Sequence, residues 1–389
     1  MSYPAMNQDI ILGILSYCPV SAIEKFRFLN KDYYKRMSES WFINLNLLRT
    51  NPVFGVFIQY KGPLSTYYST YYVLTSKNIH HRSKVSLEFL PVEKVKIEAC
   101  DPSHGILLCV DPKCYGRTTY IVCKPTTKQY HTIPNPETGC LRTIVTGLVV
   151  IGANPFRYKI VKLSQQNKIT FSENDNCYTL ICEVFDSDLF TWKRLDDDVK
   201  LPEGEFLRIS SVPVLINGFL HWLTTSNKNV FRFCMKTETW SLHPLPNDLT
   251  RTSPLVLAKY KDKLGIILWK QKSRENLKGI WVLDSSFGKT WVNVKEEKSI
   301  VEEDKLVKPV WLLPETNVAV VMCGFDWVGL YDMKTNSMKS ERYKISLPFT
   351  VDYNSSSVDY FPFYSDYERL NLNEGQTVVR QSRVCQDNW

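Results

Sequence analysis

The sequence predicts an α+β multidomain chain: a small N-terminal unit of three helices followed by a large all-β propeller of six blades. Three observations carry this. Residues 7 to 42 repeat apolar side chains at helical spacing, and the rest of the chain does not. From Val53 onward, short runs of Val, Ile, Leu and aromatic residues alternate with turn residues. Those runs recur with a period of about fifty residues.

Asn7 is placed to cap the first helix. Ile10, Ile11, Ile14, Leu15 and Cys18 follow at helical spacing and build one apolar face. Pro19 stops this helix, because proline cannot continue it and constrains the residue before it. Ser21-Ala22-Ile23-Glu24 has the form of a capping box and opens the second helix. Ile23 and Phe26 share a face of that helix, with Phe28 and Leu29 beside it. A third helix carries Tyr33, Met37 and Trp41, spaced by four, and Asn51-Pro52 ends the unit. Three short helices bury little surface alone. Their apolar faces need a partner, and spacing does not say whether that is the rest of the chain or another protein.

Five apolar strands follow, opening at Gly105, Tyr158, Gly218, Gly265 and Val318, with steps of 53, 60, 47 and 53 residues. A second motif keeps pace: an apolar strand, a polar turn, then a bulky residue opening the next strand. Its bulky residues are Tyr130, Trp192, Trp240, Trp291 and Met338, with steps of 62, 48, 51 and 47. A period near fifty with two hairpins per repeat marks a kelch-like β-propeller. One such sheet has open edges and too little core, so the blades must stack radially. Trp192, Trp240 and Trp291 then occupy equivalent places between blades. Five repeats leave strand-like patches at both ends, Phe57–Tyr60 and Tyr71–Leu74 before them and Tyr360–Phe363 after. Together these can supply a sixth blade that closes the ring with strands from both ends, with seven blades as the alternative count. The divisions expected are 1–48 for the helical unit, 53–372 for the propeller and 373–389 for a polar tail.

The bulk composition agrees. Hydrophobic residues make up 44% of 389, normal for a globular chain. No apolar run reaches the roughly 18–20 residues that span a bilayer, so no membrane partner is expected. Ile10 to Pro19 follows Asp9 with no basic n-region, unlike a secretory signal. Eleven cysteines without CxxC spacing read as reduced residues such as Cys109 and Cys323, in the cytoplasm or nucleus. The net charge of +8 is dispersed, and Asp196–Asp198 and Glu302–Asp304 interrupt any basic face. No nucleic acid is expected.

No chemistry stands out. The six histidines, His80, His81, His104, His131, His221 and His243, form no HxH or HxxxH pair. His80-His81 reads as an adjacent pair in a polar loop. There is no GxSxG elbow or Walker loop, and Gly152-Ala153-Asn154 reads as a turn. No catalytic, cofactor or metal residue is assigned.

The order of residues adds a resemblance. Asp9-Ile10-Ile11-Leu12-Gly13-Ile14-Leu15 with Pro19-Val20-Ser21-Ala22-Ile23, then Lys25-Phe26-Arg27-Phe28-Leu29-Asn30-Lys31-Asp32-Tyr33 and Trp41-Phe42, resembles the F-box family. Met6-Asn7 stands where that family has Leu-Pro, Cys18 replaces a leucine and Tyr33 a tryptophan. Each change forfeits on the order of 1–2 kcal/mol of apolar burial on a partner. Further on, Ser103-His104-Gly105-Ile106-Leu107-Leu108-Cys109, Val122-Cys123-Lys124-Pro125-Thr126-Thr127, Tyr158-Lys159-Ile160-Val161 and Ile216-Asn217-Gly218-Phe219-Leu220-His221-Trp222 look like the landmarks of the plant F-box-associated domain. Lys124 stands where that domain has asparagine.

The resemblance implies a non-catalytic substrate receptor of a Skp–cullin–F-box ubiquitin ligase. It docks a Skp-type adaptor, and through it a cullin, and recruits an unidentified protein target by propeller loops. The adaptor contacts it implies are Ile10, Ile11, Ile14, Leu15, Pro19, Val20, Phe28, Leu29 and Tyr33. The departures at Met6, Cys18 and Tyr33 keep a second reading open, a propeller interaction module with a vestigial F-box acting outside a ligase. A propeller enzyme is a third, discriminated by metal analysis and an activity screen.

Overall fold

A computed structural model describes residues 8–18, 23, 26, 31–37, 39–49, 53–62, 66–74, 79–81, 85–111, 118–138, 141–153, 155–165, 178–209, 211–246, 249, 255–260, 263–269, 277–284, 290–296, 307–312, 318–323, 327–332, 335, 337–338, 343–345, 358–365 and 370. Six antiparallel sheets follow one another along the chain. Blade 1 holds β1 (Val53–Lys61), β2 (Tyr67–Leu74) and β3 (Ile79–His81). Blade 2 holds β4 (Lys96–Asp101), β5 (Ile106–Val110), β6 (Tyr120–Lys124) and β7 (Gln129–Ile133). Blade 3 holds β8 (Arg142–Ala153), β9 (Phe156–Gln165), β10 (Tyr178–Asp186), β11 (Thr191–Arg194) and, pairing with β10, β12 (Val199–Leu201). Blade 4 holds β13 (Val214–Ile216), β14 (Phe219–Leu223), β15 (Asn229–Cys234) and β16 (Thr239–Pro244). Blade 5 holds β17 (Leu255–Tyr260), β18 (Lys263–Trp269), β19 (Leu277–Asp284) and β20 (Thr290–Glu296). Blade 6 holds β21 (Val307–Leu312), β22 (Val318–Cys323), β23 (Trp327–Asp332), β24 (Ser337–Met338) and β25 (Tyr343–Lys344). The last strand, β26 (Val358–Ser365), returns to blade 1 and pairs with β1 from Val53↔Ser365 to Tyr60↔Val358.

Blade 1 is therefore the one built from both ends, and the recurring apolar runs are the second strands, β5, β9, β14, β18 and β22. Two of the innermost strands, β4 and β13, carry a weak sequence signal. β4 reads Lys-Ile-Glu-Ala-Cys-Asp and β13 has three residues. Middle strands are buried on both faces because each sheet lies between two others, as β5 and β6 show along their whole length. Outer strands such as β7 and β11 alternate.

Six apolar clusters lie between successive blades, one at each junction of the ring. Leu148, Tyr158 and Trp192 of blade 3 meet Leu108 and Val122 of blade 2. Phe57, Tyr71, Phe361 and Phe363 of blade 1 meet Leu107, Cys109 and Cys123 of blade 2. The indoles act across these junctions: Trp192 Nε1 donates to Pro134 O at 2.7 Å, and Trp291 Nε1 to Pro244 O at 3.2 Å, each in the preceding blade. Trp240 stacks on Phe231 with centroids 5.8 Å apart.

Turn chemistry fixes the register. Asn217 and Gly218 have φ of 50° and 77°, the signature of a two-residue hairpin turn that matches strand twist. Gly105, at φ 62°, lets the end of β26 approach; a Cβ there would meet Ser365 Cβ at 2.3 Å. Tyr364 N donates to Pro102 O (2.9 Å), Thr126 Oγ1 meets Ser365 Oγ (2.9 Å), and the Gln129 amide closes two bonds with the Leu370 backbone (2.7 and 3.0 Å). At Lys124 the hairpin turn still closes, with Thr127 N donating to Lys124 O at 3.3 Å.

Three expectations need correction. His80 and His81 lie in β3, paired with Val73 and Tyr72, and not in a loop. Their strand is short and polar, which hid it. The third predicted helix is two, Lys31–Met37 and Ser40–Arg49, so Tyr33 and Trp41 belong to different helices. Glu39 lies between them and Ser40 opens the second, in keeping with serine's preference for helix ends over helix interiors. The first helix runs Gln8–Leu15; from Ser16 to Cys18 it tightens into turns, before Pro19 is reached. Between them, Ile23 and Phe26 are helical. Asn7, Pro19 to Ala22 and Phe28 to Asn30 lie outside the described residues.

Candidate protein-docking surfaces

The Gln8–Leu15 helix is apolar on two opposite faces. Leu12 and Leu15 point inward and join Ile23, Met37 and Phe42 in the helical unit's own core, with Ile11, Cys18 and Tyr33 against it. Ile10, Ile14 and Tyr17, at helical spacing from one another, are 55%, 57% and 65% exposed. Phe26, Tyr34 and Trp41 are exposed as well, so six of the thirteen large exposed hydrophobic residues described lie in this unit. Trp41 Nε1 donates to Glu39 at 2.7 Å, which keeps the indole polar edge satisfied on the surface.

The end of that helix is held by the Ser40–Arg49 helix. Asn46 Nδ2 donates to the carbonyls of Ser16 (2.8 Å) and Cys18 (2.7 Å), and Arg49 donates to Gly13 O (2.9 Å). These satisfy carbonyls the helix end leaves open. The Arg49 guanidinium also lies 4.4 Å over the Tyr17 ring and fixes it in place. Arg36 pairs with Asp9 at 2.5 Å on the other side. The exposed stripe is thus rigidly presented.

Among the predicted contacts, Ile10 and Ile14 are exposed, and Ile11 and Tyr33 are half-buried against the core. Leu15, at 5% exposure, sits in the core and holds the helix from inside. Pro19, Val20, Phe28 and Leu29 lie outside the described residues. Tyr17 continues the spacing Ile10, Ile14 and is exposed beside them.

The propeller's ionisable residues are mostly structural. Lys162 and Glu183 are fully buried 3.8 Å apart, and Thr138 donates its amide (3.0 Å) and its hydroxyl to Glu183. Asp101 accepts from Val150 N (2.8 Å) and Ser103 N (3.0 Å) and pairs with His104 (3.1 Å), tying blade 2 to blade 3. Burial raises the Asp101 pKa, but His104 and the amides outweigh it and hold it low. His131, bonded to Tyr158 at 2.6 Å, and His221, bonded to Val214 O at 3.1 Å, are both pushed down to about 4 by burial. Among the described residues no three His, Cys, Asp or Glu groups are gathered as metal ligands.

Residues 55–362 match the family model described as the F-box associated beta propeller domain. Three curated relatives from Arabidopsis thaliana carry the name F-box protein. One is 46% identical over 164 residues, covering 41% of this chain and 86% of the relative. A second is 26% identical over 248 residues, 62% and 64% of the two chains. A third is 25% identical over 302 residues, 75% and 67%.

Proposed function

This chain belongs to the F-box-associated β-propeller family, and from that premise we propose that it is the target-recognition subunit of a Skp–cullin–F-box ubiquitin ligase in the cytoplasm or nucleus. The observation that carries the proposal is the helix with two apolar faces. Leu12 and Leu15 use one face for folding, and Ile10, Ile14 and Tyr17 leave the other free for a partner. In this reading residues 1–48 form the F-box and dock a Skp-type adaptor through Ile10, Ile11, Ile14 and Tyr33, with Pro19, Val20, Phe28 and Leu29 completing the contact. The propeller, residues 53–372, holds a protein target by its loops. No chemistry is asked of the chain; tethering raises the target's concentration near a charged ubiquitin-conjugating enzyme.

The test is co-purification of the full chain with a Skp-type adaptor. Wild type is expected to retain it, and an Ile10→Lys/Ile14→Lys double variant to lose it. Failure of the wild type, or equal retention by the variant, sinks the proposal.

A further inference from the structure

Blade 4 has two unlike sides. Leu220, Trp222, Phe231 and Phe233 face blade 3 and are dry. The other side faces blade 5, where Leu223, Val230 and Leu245 meet Leu264 and Ile266. Towards the turns at Asn217-Gly218 and Met235–Glu238 that second side turns polar. The register sets His221, Arg232 and Ser241 in one row across three strands, and Phe219, Cys234 and Thr239 in the next.

Arg232 is the odd member. Its guanidinium lies over the Phe219 ring, 3.3 Å from the centroid. Its Nε is buried and has no hydrogen-bond partner, and no carboxylate pairs with it among the described residues. A guanidinium is a five-donor cation, and a buried N–H left without a partner, as Nε is here, is unfavourable. Nothing acidic faces it from its own blade: its neighbours on the row are neutral His221 and Ser241. From blade 5, β17 carries Lys259 on the side shared with Leu255 and Leu257, which face blade 4. Cys234 reports the local field. Burial opposes its ionisation, yet the amides of Thr237 (3.5 Å from Sγ) and Lys236, with Arg232, outweigh burial and lower its pKa.

We propose that this side of blade 4 is an oxyanion-binding subsite, with Arg232 as its fork and Phe219 as its platform, that takes a carboxylate or phosphate group displayed by the protein target. That the anion belongs to a target rests on the receptor reading above. That the site takes an anion does not, because the test uses the full chain with no adaptor present.

Alkylation of Cys234 by iodoacetamide is followed by mass spectrometry in chloride, acetate and phosphate at matched pH and ionic strength. A bound oxyanion beside the sulfur raises its pKa and slows wild-type alkylation about threefold or more. Arg232→Gln starts slower and responds to no anion. Arg232→Lys, which keeps the charge without the fork, falls between them and serves if the glutamine variant does not fold. Slowing by phosphate alone points to a phosphorylated target, and slowing by acetate too points to an acidic one. No slowing in wild type, or the same slowing in Arg232→Gln, overturns the proposal.

Discussion

The propeller and the helical unit handle apolar surface in opposite ways. Each blade is covered on both sides by its neighbours, and the ring returns on itself when β26 pairs with β1. The Gln8–Leu15 helix buries Leu12 fully, while Ile14, two residues on, is 57% exposed. One region is complete in itself; the other is built with a face to spare. The contrast separates apolar residues that hold the fold from those left exposed on the surface.

The largest way to break the contrast is to open the ring. Phe363 is fully buried, edge-on to Phe57 (5.3 Å) and Tyr71 (5.5 Å), on the strand that closes blade 1 and against blade 2. Phe363→Ala is expected to lower stability by about 3–5 kcal/mol in chemical denaturation. A loss below about 1 kcal/mol would mean that closure contributes little to the propeller's stability.

Buried charge comes next. Glu183→Ala leaves Lys162 in the interior with its carboxylate gone, a loss of about 3 kcal/mol or more. Glu183→Gln keeps an acceptor for the Thr138 amide, so a smaller loss is expected there. Equal losses in the two variants would show that the lost carboxylate charge accounts for the effect and the hydrogen bond that glutamine keeps adds nothing.

How much of this was legible in sequence follows the same line. Strands flanked by neighbours on both sides are rich in apolar residues, so Ile106–Val110 and Phe219–Leu223 announced themselves, and so did the turns before Trp192, Trp240 and Trp291. Short or mixed inner strands such as Lys96–Asp101 and Val214–Ile216 did not. In the helical unit, the apolar spacing was legible but its sidedness was not: one list joined Leu15 to Ile10 and Ile14, which the helix divides. A residue's period tells where it points relative to its neighbours and not which direction is inside. Arg232 carried no signal at all, because only the register across three strands sets it beside Phe219, His221 and Ser241.

Acid tests the propeller more gently. His131 is buried and its pKa is pushed from 6.5 down to about 4. The folded value lies below the unfolded one, so the unfolded chain takes up the proton first. Stability is whole above about pH 6.5 and is lost as pH falls towards 4, by up to about 3 kcal/mol. His221 adds to the slope in the same window. His131→Gln should flatten part of that slope in denaturation curves taken across this range. An unchanged slope would locate the acid sensitivity elsewhere.

The smallest effect on stability carries the most about function. Leu12→Ala removes a fully buried side chain from a five-residue core and is expected to unfold or loosen the helical unit, at about 2–4 kcal/mol. Ile10→Lys/Ile14→Lys touches side chains already in water, and a change within about 0.5 kcal/mol is expected. Partner binding should reverse that order of specificity. Leu12→Ala weakens adaptor retention only as far as it disturbs the helix, and retention should return on cooling or with a less severe Leu12→Met change. The double lysine variant should lose the adaptor while its helical circular dichroism and thermal midpoint stay at wild-type values. If instead the lysines destabilise the chain as much as Leu12→Ala does, then the Ile10–Ile14 face is already covered within this chain, and the division between a folding face and a docking face falls.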